Sequence, residues 1–153
     1  IAVCSIETYE SSSDILFPMG EEFDFPDSVF GSKLIHSYEQ LQTLIGEIEG
    51  QLTQKPDNGL QSILLQLIKY DQSYFVSNAL CVNLTLMNAG IDLNLQAVWL
   101  RDAGQGNYYL DIWLDKVCDK TEQTSEMRYY SSFVTVPQTI ARQCNMVLFQ
   151  YSE

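Results

Sequence analysis

One imidazole, four thiols and a row of carboxylates are the residues of this chain whose types could do chemistry. His36 stands directly before Ser37. An imidazole within reach of a hydroxyl or thiol can act as general base for a nucleophile, so His36 with a serine or a cysteine defines one reading, a small hydrolase. Ser37 has a competing use: Gln40 follows three residues later, the spacing of a capping box. The thiols are Cys4, Cys81, Cys118 and Cys144. No two stand at CxxC spacing and one histidine cannot complete a zinc set, so these residues are expected as disulfide halves or core thiols, with no metal and no cofactor. Two bridges among four cysteines have three connectivities, and sequence does not choose among them. Asp111, Asp115 and Asp119 project from one side of an extended strand, but successive carboxylates then lie roughly 13 Å apart, too far to share one cation. They read as a solvated strand face. Asp111 and Trp113, with Tyr109 and Tyr130 nearby, suit contact better than catalysis: an aromatic patch for a protein or glycan partner, unless a helix or the N-terminal segment covers it. The loop Asp102–Gly106, with Gln105 at its tip, adds exposed polar surface. The expected contact set is therefore Asp102, Gln105, Tyr109, Asp111, Trp113 and Tyr130.

The elements that must position these residues come in two runs. After the Ser37 cap, Tyr38, Leu41, Leu44, Ile45, Ile48 and Leu52 recur at three- and four-residue steps, which predicts an amphipathic helix over 38–49 with Gly50 able to end it. Pro56-Asp57-Asn58-Gly59 reads as a turn. Leu60, Ile63, Leu64, Leu67 and Ile68 fit a second helix, although the apolar run 63–65 also fits a strand. A helical turn is expected around 71–76. From Ala79 the period changes to two, with Leu80, Val82 and Leu84 on one face, as in a strand with one buried side. Residues 93–117 form a hairpin around Gly104-Gln105, read as a type II′ turn. That register sets Trp99 opposite Leu110, Ala97 opposite Ile112 and Leu95 opposite Leu114. Strands over 127–136 and 144–151 complete an antiparallel set, and a strand at 33–36 can join it. Helices followed by strands predict an α+β domain, one or two helices packed on an antiparallel meander of four or five strands.

The chain is 153 residues long, one domain's worth, and 46% hydrophobic. Its 20 acidic residues against 8 basic ones give a net charge of −12. That acidity repels phosphate backbones and sets aside nucleic-acid binding. No apolar run reaches the ~18 residues of a membrane span. The charge is uneven: the first 30 residues hold seven acidic side chains and no lysine or arginine, leaving 13 acidic against 8 basic residues beyond them. That first segment, with Ser11-Ser12-Ser13, Phe17-Pro18 and Phe23-Asp24-Phe25-Pro26, shows neither helical nor strand periodicity and reads as an acidic, irregular leader or arm. The compact domain is expected over 31–153. Asn83-Leu84-Thr85 is a glycosylation sequon, a tripeptide common by chance. The chain opens Ile-Ala-Val without Met, as a processed, exported protein would.

Three stretches carry a family likeness. Lys33-Leu34-Ile35-His36-Ser37-Tyr38-Glu39-Gln40-Leu41 resembles the strand-to-helix opening of small exported or lipoprotein domains of Firmicutes. Tyr70–Leu80 is similar to their junction before the first strand of the meander, and Glu126–Pro137 to their penultimate strand. The likeness covers about 33–151 and extends distantly to the C-terminal domain of envelope protease-complex subunits. Two features depart from it: a longer insertion around 51–59, and Cys81, Cys118 and Cys144, whose pairing it does not support. The resemblance implies an extracytoplasmic module of a Gram-positive cell envelope, without an assigned catalytic residue, working through a protein partner such as a protease or envelope complex, with a lipid anchor outside this sequence.

Overall fold

A computed structural model describes residues 4–12, 31–88, 90–118 and 127–152. The order of elements is β1 (Ser5–Ser12), β2 (Gly31–Ile35), α1 (Tyr38–Gln54), α2 (Asn58–Leu67), α3 (Tyr74–Ser77), β3 (Asn78–Asn88), β4 (Ile91–Gly104), β5 (Asn107–Cys118), β6 (Met127–Pro137), α4 (Gln138–Ala141) and β7 (Cys144–Ser152). The class is α+β. Its strands divide between two sheets rather than forming one meander: a four-stranded sheet in the order β1-β6-β3-β2 and a three-stranded sheet in the order β4-β5-β7.

The four-stranded sheet is the middle layer. One of its faces carries Leu80, Val82, Leu84, Tyr129 and Phe133 against Leu41, Ile45 and Ile48 of α1 and Leu60, Ile63 and Leu67 of α2. Its other face carries Ala79, Cys81, Val134 and Val136 against Leu110, Ile112, Leu114 and Val147 of the second sheet. β3 and β6 are thus covered on both sides, so Cys81 and Asn83 are buried like Leu80, Val82 and Leu84, which alternate with them. The alternation that suggested one buried face reports only side-chain direction, not exposure.

Local chemistry explains most element ends. Gln40 N donates to Ser37 Oγ at 3.2 Å, and His36 N, one residue ahead of the cap, donates to Gln40 Oε1 at 2.7 Å, a variant of the capping box. α1 runs past Gly50 to Gln54, because Leu52 still has apolar surface to cover. α2 is a helix. Its cap is Asp57, whose Oδ1 accepts from Gly59 N at 2.8 Å and Leu60 N at 3.3 Å. The Tyr129 hydroxyl donates to the other oxygen at 2.8 Å, so one carboxylate starts a helix and ties it to the sheet beneath. Gln138 Nε2 donates to the carbonyls of His36 (2.7 Å), Asn78 (2.8 Å) and Phe75 (3.2 Å), locking the α4 turn to the neighbouring junctions.

Several expectations are corrected. Residues 5–12 form a strand, paired with β6 from Ser5↔Thr135 to Ser12↔Arg128, where the sequence reads as irregular; an edge strand supported by a partner's backbone needs little periodicity of its own. β7 runs parallel to β5, because α4 turns the chain back across the end of the sandwich. In the β4–β5 hairpin the turn residues are Gln105 (φ 56) and Gly106 (φ 78), both left-handed as in a type I′ turn, with Gly104 paired to Asn107. Irregularities at Asp102/Gly104 and Leu95/Ala97 shift the register between them by one, so Trp99 faces Asp111 and Leu100 faces Leu110, while Leu95↔Leu114 holds as expected. Cys4, Cys81 and Cys144 are free thiols rather than disulfide halves. Their strands meet in the core between the sheets, where thiols pack as small apolar groups. The side chain of Cys118, and residues 13–30, lie outside what is described.

Candidate functional site

The register puts Tyr109, Asp111, Trp113 and Asp115 on the side of β5 turned away from the core, since Leu110, Ile112 and Leu114 fill the other side. β4 adds Trp99 and Arg101 to this outer face, and β7 adds Met146, Leu148 and Gln150. Among the described residues no helix packs on this face, and its side chains meet solvent: Trp99 is 52% exposed, Met146 45% and Leu148 40%. Large apolar side chains grouped on one open sheet face are the mark of a contact surface rather than of a core.

At its centre Asp111 is an exception, with only 4% of its side chain exposed. Arg101 Nε donates to Oδ2 at 2.8 Å and Trp113 Nε1 to the same oxygen at 3.0 Å, while Gln150 Nε2 donates to Oδ1 at 2.5 Å. One residue from each strand is thereby fixed to a single carboxylate. Burial alone pushes the carboxyl pKa up, but the three hydrogen bonds and the guanidinium charge outweigh it and hold Asp111 below its ordinary value. Arg101 also lies over Trp99, its guanidinium carbon 5.5 Å from the ring centroid, within cation–π range. Its side chain is 46% exposed, and among the described residues its terminal amino groups have no hydrogen-bond partner. Below this cluster Ser152 Oγ donates to Asp115 Oδ1 at 2.5 Å, so Asp115 is likewise engaged within the sheet.

Of the expected contact residues, Tyr109, Asp111 and Trp113 share this face, with Asp102 and Gln105 at the exposed hairpin end. Asp102 accepts from Gly104 N at 2.7 Å and shapes the bend before the turn. Tyr130 does not belong: it is buried in the inter-sheet core, where its hydroxyl accepts from Ile91 N at 3.2 Å. It lies on β6 of the middle sheet, on the side turned toward the second sheet. Trp99, Arg101, Leu148 and Gln150 were missed because membership depends on a bulge and on the parallel β5–β7 pairing. Trp99 in a strand ending in a glycine turn was the one available signal.

Other chemistry-bearing residues lie elsewhere. His36 and Ser37 line a shallow hollow of about 290 Å³ with Glu39, Gln72 and Phe75, and no cysteine lines it. Ser37 Oγ is occupied as the helix cap. Burial pushes the Cys4, Cys81 and Cys144 thiols up, and for Cys81 the neighbouring Cys4 and Cys144 add to the rise; a nucleophilic cysteine needs the opposite. Among the described residues no group of three His, Cys, Asp or Glu side chains could hold a metal ion, and no helix is long and apolar enough to cross a membrane. A second cleft, of about 350 Å³, opens beside β4 between Cys4, Leu95, Val98, Leu100, Leu110 and Ile140.

The chain matches no known family profile, no curated protein and no solved structure.

Proposed function

We propose that the protein is a non-enzymatic interaction module that presents the outer face of its three-stranded sheet to a protein partner. The observation that carries this reading is the combination of exposed Trp99, Met146 and Leu148 with an Arg101 side chain fixed by Asp111. Aromatic and arginine side chains held in one conformation lose little entropy on binding, which is why they dominate interface energetics. The use of Ser37 as a cap and the raised thiols favour this reading over a hydrolase built on His36. Placement outside the cytoplasm, with a protease or envelope complex as partner, rests on the resemblance to exported Firmicutes domains.

The test is capture from Firmicutes envelope extracts with the wild-type chain and with a Trp99→Ser/Leu148→Ser variant, circular dichroism confirming that both are folded. Both side chains are exposed, so the fold should survive. The proposal expects the specifically captured proteins to be lost with the variant; equal recovery would refute it. Trp113→Ala is a poorer probe, because Trp113 also holds Asp111.

A further inference from the structure

The free edge of β4 gives the contact surface a more specific use. Among the described residues β4 is the terminal strand of the three-stranded sheet and pairs only with β5. The opposite edge, β7, is already met by the other sheet, where Phe149 N donates to Ser32 Oγ at 3.3 Å. Between its two register shifts β4 runs regularly over 97–102, so one side of that stretch has backbone groups directed at no strand among the described residues. Such an edge is a template for another extended chain unless it is blocked. No proline lies in this stretch, and its charges are Arg101 and Asp102.

The side chains on either side of this edge are asymmetric. Val98 and Leu100 turn inward with Ile112 and Leu110, yet Leu100 is 44% exposed whereas Leu110 is fully buried. The 350 Å³ cleft opens beside Leu100, with Cys4, Leu95, Val98 and Ile140 among its lining residues. Trp99 and Arg101 turn outward, with the unused amino groups of the Arg101 guanidinium fixed at the rim. A strand laid along this edge would point alternate residues inward and outward.

We infer, resting on the proposed interaction role, that the partner docks as an extended segment along β4. In that segment an apolar residue enters the cleft beside Leu100, and an adjacent acidic residue meets Arg101. Main-chain hydrogen bonds supply the docking, the cleft and the guanidinium supply the selectivity, and no helix or proline-broken segment fits. A guanidinium with free parallel N–H groups is matched to a carboxylate.

The experiment selects binders from a random linear peptide library displayed on phage, with the full chain immobilised. Binding of the enriched peptide is then measured with wild type, Leu100→Asn, Arg101→Ala, Leu148→Ser and, as a control away from the face, Val76→Ser. Enriched sequences are expected to place an acidic residue next to an apolar one. Leu100→Asn and Arg101→Ala should each weaken binding about tenfold or more, Leu148→Ser less than either, with Val76→Ser without effect. Amide hydrogen exchange should show new protection within 97–102 when the peptide is bound. Loss with Leu148→Ser alone would overturn the strand inference while leaving the outer face as the contact surface. Indifference to Leu100→Asn and Arg101→Ala, or failure to enrich any such sequence, would overturn the inference; unchanged partner capture by the Trp99/Leu148 variant separately refutes the wider reading.

Discussion

A carboxylate in the middle of an open sheet face ordinarily stays in water. Asp111 instead is covered by the very side chains that donate to it, from β4, β5 and β7. Removing it would leave the indole and amide donors without their acceptor and would free Arg101. Asp111→Ala is expected to cost roughly 1–3 kcal/mol in urea unfolding, the penalty for orphaning such donors, and to weaken partner binding although Asp111 itself is covered. The sign of its pH dependence follows from its lowered pKa. The unfolded carboxyl takes up its proton first as pH falls, so the stabilisation is complete above the ordinary carboxylate range and disappears as pH drops through the lower, folded value. The stability gap between wild type and Asp111→Asn should therefore narrow as pH falls from about 6 toward about 3, whereas a gap independent of pH would show that charge plays no part. Asp111 was legible in the sequence as one of a row of strand carboxylates. Its burial was not, since that depends on Gln150, distant in sequence and brought alongside by a parallel strand.

Helix positions and strand periods were readable because each rests on local spacing. The Ser37–Gln40 box and the leucine and isoleucine repeats lie within single elements, and α1, β3, β6 and β7 fall close to where they are expected. Two local signals were misread. Asp57 looked like part of a turn, yet it caps α2 and takes the Tyr129 hydroxyl, a partner 72 residues away. Asp57→Ala is expected to destabilise by about 2 kcal/mol or more, combining a lost cap with a lost buried hydrogen bond to Tyr129, and Tyr129→Phe by less; equal effects would mean that the cap contributes nothing. The hairpin was misread because its turn lies one residue later than expected and two bulges, both shifting the register the same way, make up the difference: the register is displaced at Trp99 and as expected at Leu95. Gln105 carries a side chain at φ 56, a conformation that costs an ordinary residue roughly 1 kcal/mol. Gln105→Asn or Gln105→Gly should thus raise the thermal midpoint, whereas a lower midpoint would argue that the Gln105 side chain makes a stabilising contact.

At the scale of the whole molecule, a helical layer, a central sheet and a second sheet enclose two separate cores. The α+β class followed from the order of elements, but the division of strands between sheets did not, because strand periodicity says which side is buried and not which neighbour is paired. The net charge of −12 says as little about the site, whose centre is a guanidinium held by a carboxylate. Within the middle sheet, Ser131 Oγ and Ser132 Oγ are buried without a hydrogen-bond partner among the described residues. Ser132→Ala is expected to be neutral or to stabilise by about 1 kcal/mol, since it removes a desolvated hydroxyl; a loss of stability would reveal a bound water or partner there. The central claim concerns which surface makes contact. Hydroxyl-radical footprinting of the protein, free and bound to its captured partner, tests it most directly. Protection should appear at Trp99, Met146 and Leu148, with exposed Val76 beside the His36 hollow unchanged. Protection centred on Val76 and His36, with Trp99 still fully reactive, would contradict the account.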